Sequence, residues 1–200
     1  MNKNPSTLAR IVVTAAGTSA LLIAGAAQAA LQDRDLDGDS VVDAFYDTDL
    51  DITWLRNADV NGLMTWDSTV AWADGYSFAG YDDWRLPTSD QCTNLNCIGS
   101  EMGHLWHIEL GNTDGSPINT GNFQNLLIER YWSGTEFESY PDQAMAFSMS
   151  GVQYSSPKHE AYYALAVHPG DVPAVPEPET YALMLAGLGT LIAARRRRSN

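Results

Sequence analysis

Positive charge is scarce in this sequence: 11 Lys and Arg residues stand against 25 Asp and Glu residues, and the formal net charge is -14. Six of the basic residues lie before residue 30 or after residue 175, so the stretch between them has five basic and 23 acidic residues and a net charge of -18. A surface of that sign repels phosphate backbones and argues against nucleic-acid binding. It favours cations as partners.

The sequence also lacks the motifs of common catalytic centres, with no GxSxG, no HExxH and no glycine-rich phosphate loop. Glu136 and Glu138 would lie about 7 Å apart on one face of a strand, without an identifiable partner. A single ExxH, from Glu101 to His104, is half of what a di-metal centre needs, and His107 adds too few ligands. We expect packing or surface roles for these residues, and a protein that is not an enzyme.

The N-terminal segment has the layout of a secretory signal peptide. Lys3 and Arg10 precede an apolar stretch at 11–27, and the small residues Ala27 and Ala29 flank Gln28. This pattern predicts export with cleavage after Ala29. A buried N-terminal helix is the alternative, but no amphipathic stripe runs through the segment.

The C-terminal segment combines an uncharged run at 181–194 with four arginines at 195–198. A helix rising about 1.5 Å per residue would cover roughly 21 Å of a hydrocarbon core about 30 Å thick, so the run is a short span at best. Positive flanks stay on the cytoplasmic side, which would leave the rest of the protein outside. An ordinary membrane anchor and a buried core helix are the alternatives.

A Pro-Glu-Pro motif, formed by Pro176, Glu177 and Pro178, precedes that apolar run and basic tail. The three parts in this order resemble the PEP-CTERM sorting signal. The resemblance implies recognition by an exosortase, which is thought to cut near the motif, and delivery to the cell surface or extracellular matrix. It also implies transient membrane anchoring through 180–194 with the tail in the cytoplasm, often in bacteria that make extracellular polysaccharide.

Between the two ends lie about 145 residues, enough to bury one core, and all six tryptophans fall within them. Cys92 and Cys97 are the two cysteines of the chain, and an oxidising exterior favours a disulfide between them. Closing so short a loop contributes about 2 kcal/mol in the chain-entropy model. A metal or redox pair is the alternative, but it lacks a second Cys pair.

Periodicity and capping signals predict an α+β fold with helices first and an antiparallel sheet after. Helices are predicted from Thr65 to Asp74, briefly at Thr88 to Gln91, and from Ser100 to Gly111. Ser150 and Gly151 should form a hairpin turn. Strands are predicted at 41–46, 52–55, 128–135, 144–149, 152–154 and 162–167.

Six strings occur in order along the central part of the chain: TDLDITWL (48–55), WDSTVAWADG (66–75), GYDDWRLPT (80–88), SEMGHL (100–105), YWSGTE (131–136) and ALAVHPGD (164–171). Together they resemble the Lcl C-terminal domain family, although Leu165 and His168 replace a Trp and an Arg that are usual in its last string. The resemblance implies a C-type-lectin-like mixed fold related to formylglycine-generating enzymes, with two or three helices and a small twisted antiparallel sheet. Hydrophobic helices would flank it at both ends.

The expected organisation therefore has five parts. They are a signal peptide at 1–29, an acidic arm at 30–44, the Lcl-type domain at 45–171, a Pro-rich linker with the motif at 172–179, and the apolar span with its basic tail at 180–200.

The acidic arm contains DRDLDGDSVVD at 33–43, a pattern that suits calcium (Ca2+), since carboxylates at alternate positions can wrap one ion around a glycine turn. In an EF-hand register Ala44 occupies the position of the usual bidentate Glu, so a shorter loop fits better. A solvated acidic linker is the alternative, and a single loop should bind weakly. Both registers share the candidate ligands Asp35, Asp37 and Asp39. The EF-hand register adds Asp33, and the shorter loop adds Asp43.

Two interpretations apply to the aromatic residues near WRLPT. The family resemblance suggests that Arg85 pairs with a buried carboxylate while Trp84 packs in the core. Alternatively, Trp84, Tyr131 and Trp132 contact a ligand, since exposed rings stack on the apolar faces of sugars.

The resulting hypothesis is an exported surface or matrix binding module that contacts extracellular polysaccharide or another surface component. A purely structural, calcium-ordered matrix protein is the first alternative, and a sugar-active enzyme is the second. The acidic run Asp47, Asp49 and Asp51 is expected to form an exposed strand edge, and an extension of the ion site is the alternative.

Overall fold

The computed structural model describes residues 31–113 and 118–173, together with Leu188. The predicted signal peptide, the Pro-Glu-Pro motif and the remainder of the predicted C-terminal span lie outside these residues. Within the described part, no helix is long and apolar enough to cross a membrane.

Two antiparallel sheets make up most of the described chain. The first has the strand order β1-β2-β3-β7, with β1 at Gln32–Arg34, β2 at Ala44–Asp47, β3 at Ile52–Leu55 and β7 at Val167–Pro169. The second has the order β4-β5-β6, with β4 at Arg130–Glu136, β5 at Gln143–Ser148 and β6 at Val152–Pro157. Helix α1 spans Trp66–Asp74, helix α2 spans Glu101–His104, and a π-helical turn follows at Leu105–Glu109.

The first sheet is buried at its centre because β2 and β3 are rich in aromatic and β-branched residues. Phe45 lies opposite Trp54 in the register, and all four residues of β3 are buried. The last strand, β7, returns from the far end of the chain to pair with β3. Beyond it, Arg34 donates to both carboxylate oxygens of Asp171, at 2.7 and 3.0 Å, so the first and last described segments are held together.

The second sheet is a meander whose β5–β6 turn packs onto the π-helical turn. Gly151 has φ +95°, and a Cβ at this position would lie 2.7 Å from the Trp106 ring. The Trp106 indole also donates to the Met149 carbonyl at 3.0 Å. The hairpin and the π-helical turn are therefore packed together by one indole.

The core contains five of the six tryptophans, and the sixth, Trp72, packs against it while partly buried. The largest cluster lies between the two sheets and the π-helical turn, around Trp54, Trp106 and Phe147. Smaller clusters surround Trp132 beside α1 and Trp84 beside the first sheet. The tryptophans that cluster in the central part of the sequence therefore serve the core of the domain.

Several local predictions are confirmed. Helix α1 follows Thr65, and the Ser100 side chain caps α2 by accepting from the Gly103 amide at 3.0 Å. The β5–β6 hairpin turns through Ser150 and Gly151.

Other predictions are wrong. Helices do not come first, because three strands precede α1: β2 and β3 form near the strands predicted at 41–46 and 52–55, and the acidic arm adds β1. Thr88 does not begin a helix, since its amide is used to donate to the Glu101 carboxylate at 2.6 Å. The strand predicted at 162–167 is reduced to isolated bridges at Tyr162 and Tyr163 before β7 begins.

Candidate functional site

The acidic arm brings three of its five candidate calcium ligands together. Asp35, Asp37 and Asp39 each place one carboxylate oxygen within 4.8 Å of the others. The loop closes because Asp35 accepts from the amides of Gly38 and Ser40, at 2.7 and 2.8 Å, and because both of those residues have positive φ. Asp37 and Asp39 each use one oxygen for a backbone amide, and a carboxylate has a second oxygen that can face a cation. This donor set fits calcium.

The other two candidate ligands have different surroundings. Asp43 accepts from the Leu36 amide at 2.8 Å. Burial raises the pKa of Asp43, and the charges of Asp37 and Asp39 raise it further. Asp33 stands on β1 and lines a separate cavity.

That cavity has a volume of about 590 Å³ and opens beside β1, β2 and the π-helical turn. Its lining includes the polar residues Asp33, Asp49 and Asn122 and the apolar residues Phe45 and Phe123. The two phenylalanine rings meet edge to face with centroids 4.8 Å apart. A cavity of this size and mixed lining is typical of small-ligand sites.

The π-helical turn supplies part of the cavity lining. The Leu110 amide donates to the Leu105 carbonyl at 2.9 Å, five residues back, where an α-helix would use a spacing of four. His104 and Glu109 are also five residues apart. In an α-helix they would be about 140° apart around the axis, but here His104 Nε2 lies 3.4 Å from Glu109 Oε1.

Glu109 lines the cavity, yet its side chain is only 1% exposed. Neither of its carboxylate oxygens accepts a hydrogen bond from any described residue. Burial raises the pKa of Glu109, and the Asp47 charge raises it further, against the opposing effect of His104. No pattern in the sequence pointed to this residue, because α-helical periodicity places it away from His104.

Asp47 corrects the prediction of an exposed acidic edge. It is fully buried at the end of β2, where its carboxylate accepts from the amides of Asp49 and Leu50 and, at 3.3 Å, from the Trp54 indole. The chain turns directly after β2, so Asp49 and Asp51 belong to a turn and not to the strand. The alternation of the three residues therefore does not describe one strand face.

The three predicted ligand-contacting aromatics are buried: Trp84, Tyr131 and Trp132. Their polar atoms bond within the protein, to the Tyr81 carbonyl, the Leu127 amide and the Met64 carbonyl respectively. A ring must be exposed to stack on a sugar, so the interpretation of these three residues as a sugar platform is corrected.

The companion interpretation of the WRLPT region is confirmed. Arg85 donates to both oxygens of Glu101, at 2.8 and 2.7 Å, and Trp84 packs in the core. Glu101 is therefore the ion-pair partner of Arg85 and does not share a role with His104. His168, which replaces a usual arginine of the related string, lies edge-on to Trp84 with centroids 5.6 Å apart.

The predicted disulfide is also present, joining Cys92 to Cys97. Its loop is tied to β6, because the Gln153 side chain donates through Nε2 to the Cys92 carbonyl at 2.7 Å.

Comparison with known families gives two matches. The model of the Lcl C-terminal domain matches residues 43–168. The model of the PEP-CTERM protein-sorting motif matches residues 174–198, directly after the described domain. No curated protein matches the chain.

Proposed function

Because the chain belongs to the Lcl C-terminal domain family and carries a PEP-CTERM sorting motif, we propose that it is a binding module for extracellular polysaccharide. The motif marks an exported protein that an exosortase processes and sorts to the cell surface. The Lcl domain is the part that would act there, in the surface layer or the extracellular matrix. Transient anchoring through residues 180–194 during sorting is part of the proposal.

The cavity of about 590 Å³ is the observation that carries the binding proposal. Carboxylate and amide groups in the lining suit sugar hydroxyls, and the exposed side chain of Ile108 offers an apolar surface. Among the described residues that line the cavity, none is basic. An acidic wall repels sulfated or carboxylated sugars, so the expected ligand is a neutral glycan.

Calcium binding by the arm is a second component of the proposal. The clustering of Asp35, Asp37 and Asp39 supports it, and a single loop with few ligands should bind in the weak range of extracellular modules. The ion would order the loop between β1 and β2. The module acts by binding in this proposal, without catalysis.

A purely structural, calcium-ordered matrix protein is the competing function. The burial of Trp84, Tyr131 and Trp132 favours it, because the most prominent aromatic residues serve the core. The two functions differ in whether a glycan binds saturably.

Binding to an array of neutral, acidic and sulfated glycans, with and without EDTA, tests the proposal. We expect saturable binding of a neutral glycan, loss of binding in a cavity-blocking Asn122→Trp variant, and retention in Ser139→Trp, an exposed position outside the cavity lining. Absence of binding to every glycan would support the structural alternative.

Calorimetry with calcium alone tests the arm. The wild-type chain should take up calcium, and a triple variant with Asp35, Asp37 and Asp39 changed to Ala should not. A control triple variant at the exposed residues Asp67, Asp82 and Asp142 should behave like wild type. Equal uptake by the wild type and the arm variant would show that the loop is not the site.

A further inference from the structure

Glu109 presents a physical problem that neither the glycan proposal nor the calcium arm explains. Its side chain is 1% exposed, and no described residue donates a hydrogen bond to either carboxylate oxygen. A buried carboxylate without hydrogen bonds is strongly destabilising unless it is neutralised or bound to a cation. Each buried polar group of this kind therefore calls for a specific explanation.

Two neighbours of Glu109 are further candidate metal ligands. Asp47, His104 and Glu109 each offer one atom, and these atoms lie within 4.8 Å of one another. His104 Nε2 is buried and, like the Glu109 oxygens, has no hydrogen-bond partner among the described residues. It lies 3.4 Å from Glu109 Oε1 and 4.0 Å from Asp49 Oδ2. Donor atoms from three side chains thus lie close together, and the exposed Asp49 carboxylate lies at their edge.

We propose that Asp47, His104 and Glu109 form a binding site for a divalent transition metal of the zinc class, with Asp49 at its rim. An imidazole nitrogen combined with carboxylate oxygens suits zinc and its neighbours, whereas calcium prefers oxygen ligands alone and more of them. Bound at about 2.0 to 2.2 Å from each donor, one ion would neutralise Glu109 and draw the side chains slightly inward.

The protein holds these donors in place through separate elements. Asp47 ends β2 and is fixed by the amides of Asp49 and Leu50 and by the Trp54 indole. His104 and Glu109 are brought onto one side by the π-helical turn, a type of distortion that is frequent at functional sites. Hydrogen bonds to a ligating carboxylate are the usual outer support of a metal site.

An ion would reach the site through the cavity. Glu109 and Asp49 both line it, and the Asp49 side chain is 47% exposed, so the cavity connects the rim of the site with solvent. Three firm ligands and an open side leave room for water or a ligand atom in the remaining position. The site is separate from the calcium arm, which uses Asp35, Asp37 and Asp39.

The competing explanation is a direct ion pair between His104 and its carboxylate neighbours without metal. This explanation predicts the same distances in the metal-free protein, so a measurement of zinc binding is needed to distinguish it from the proposal.

The test uses the full-length chain, purified in detergent without a polyhistidine tag and stripped with chelator. Zinc alone is titrated, with no glycan present, so the result does not depend on the glycan proposal. We expect one equivalent to bind and to raise the thermal unfolding temperature, and X-ray absorption to show nitrogen and oxygen ligands without sulfur.

Glu109→Gln keeps the shape of the side chain and removes the buried charge, so this variant should fold. It should weaken zinc binding by more than about tenfold, since even changes in outer-shell partners have effects of that size. His104→Gln should do the same. Glu160→Gln and His159→Gln are matched exposed controls, and they should bind zinc like wild type, as should the arm triple variant.

Absence of zinc binding by the wild type would overturn the proposal, as would unchanged affinity in a folded Glu109→Gln variant. Loss of binding in the arm variant alone would also overturn it, because the zinc would then occupy the calcium loop.

Discussion

Arg85 and Glu101 form a two-point ion pair, with guanidinium nitrogens 2.8 and 2.7 Å from the two carboxylate oxygens. The backbone of Arg85 bonds in both directions with Val167, and Glu101 also accepts from the Thr88 amide. The pair therefore connects the start of α2 to the chain that flanks β7. This bidentate arrangement of guanidinium and carboxylate gives strong, charge-assisted hydrogen bonds.

We expect Glu101→Gln to lower the free energy of unfolding by about 2 kcal/mol, because it replaces charge-assisted hydrogen bonds with weaker ones around a retained guanidinium. Urea denaturation measures the change. Glu160→Gln removes a carboxylate from an exposed pair with His159 and should change stability by less than about 0.5 kcal/mol. Equal effects in the two variants would mean that the Arg85–Glu101 pair has no special role.

Local rules of sequence predicted the parts of the fold in which neighbouring residues decide the structure. Helix α1, the Ser100 cap and the β5–β6 turn depend on residues that lie within a few positions of one another. The pairing of Arg85 with a carboxylate and the family itself came from the resemblance of whole strings. The disulfide followed from the export signals and the cysteine count.

The remaining features depend on partners distant in sequence. Strand β1 forms because β2 is available to pair with it, and the acidic sequence of the arm does not by itself favour a strand. Asp47 is buried because the Trp54 indole and two turn amides satisfy it. The meeting of His104 and Glu109 depends on a π-helical turn, and α-helical periodicity predicts the opposite.

Removal of the Cys92–Cys97 disulfide should lower the free energy of unfolding by about 2 kcal/mol, because the bond closes a short loop with a sequence separation of 5. Urea denaturation with and without dithiothreitol measures the change. A Cys92→Ser, Cys97→Ser double variant should match the reduced wild type and should not respond to dithiothreitol. A wild type that is equally stable in both conditions would contradict a stabilising role.

Gly103→Ala should destabilise the protein by about 1 to 3 kcal/mol, the range for overpacking a filled site. A Cβ at this position would overlap the Cys97 carbonyl oxygen and lie 2.8 Å from Ser100 Oγ. This overlap outweighs the better helix propensity of alanine. Thermal unfolding measures the effect, with Gly75→Ala as the control, since its φ is -96° and its nearest neighbour is 3.4 Å away. An unchanged thermal unfolding midpoint for Gly103→Ala would show that α2 can move to accommodate the added methyl group.

Alkaline pH should destabilise the protein through Tyr131. Burial raises the pKa of Tyr131 to about 12, above its ordinary value of 10.0. Between these pH values the unfolded chain loses the phenolic proton while the folded chain keeps it, so the free energy of unfolding falls as pH rises. The loss from this residue is on the order of 2 kcal/mol by pH 12.

Urea denaturation from pH 9 to 12 measures this decline. Tyr131→Phe should reduce its slope without abolishing it, because the pKa of Tyr154 is also raised by burial. Tyr140→Phe alters an exposed ring and should leave the slope unchanged. Parallel curves for wild type and Tyr131→Phe would contradict the assignment.

Arg34 and Asp171 join the end of β1 to the segment that follows β7. These are the two outer strands of the first sheet, so the ion pair links its opposite edges. A pulling force applied between Leu31 and Pro173 would load this ion pair and the two outer strands first, while the tryptophan core would carry little of the force.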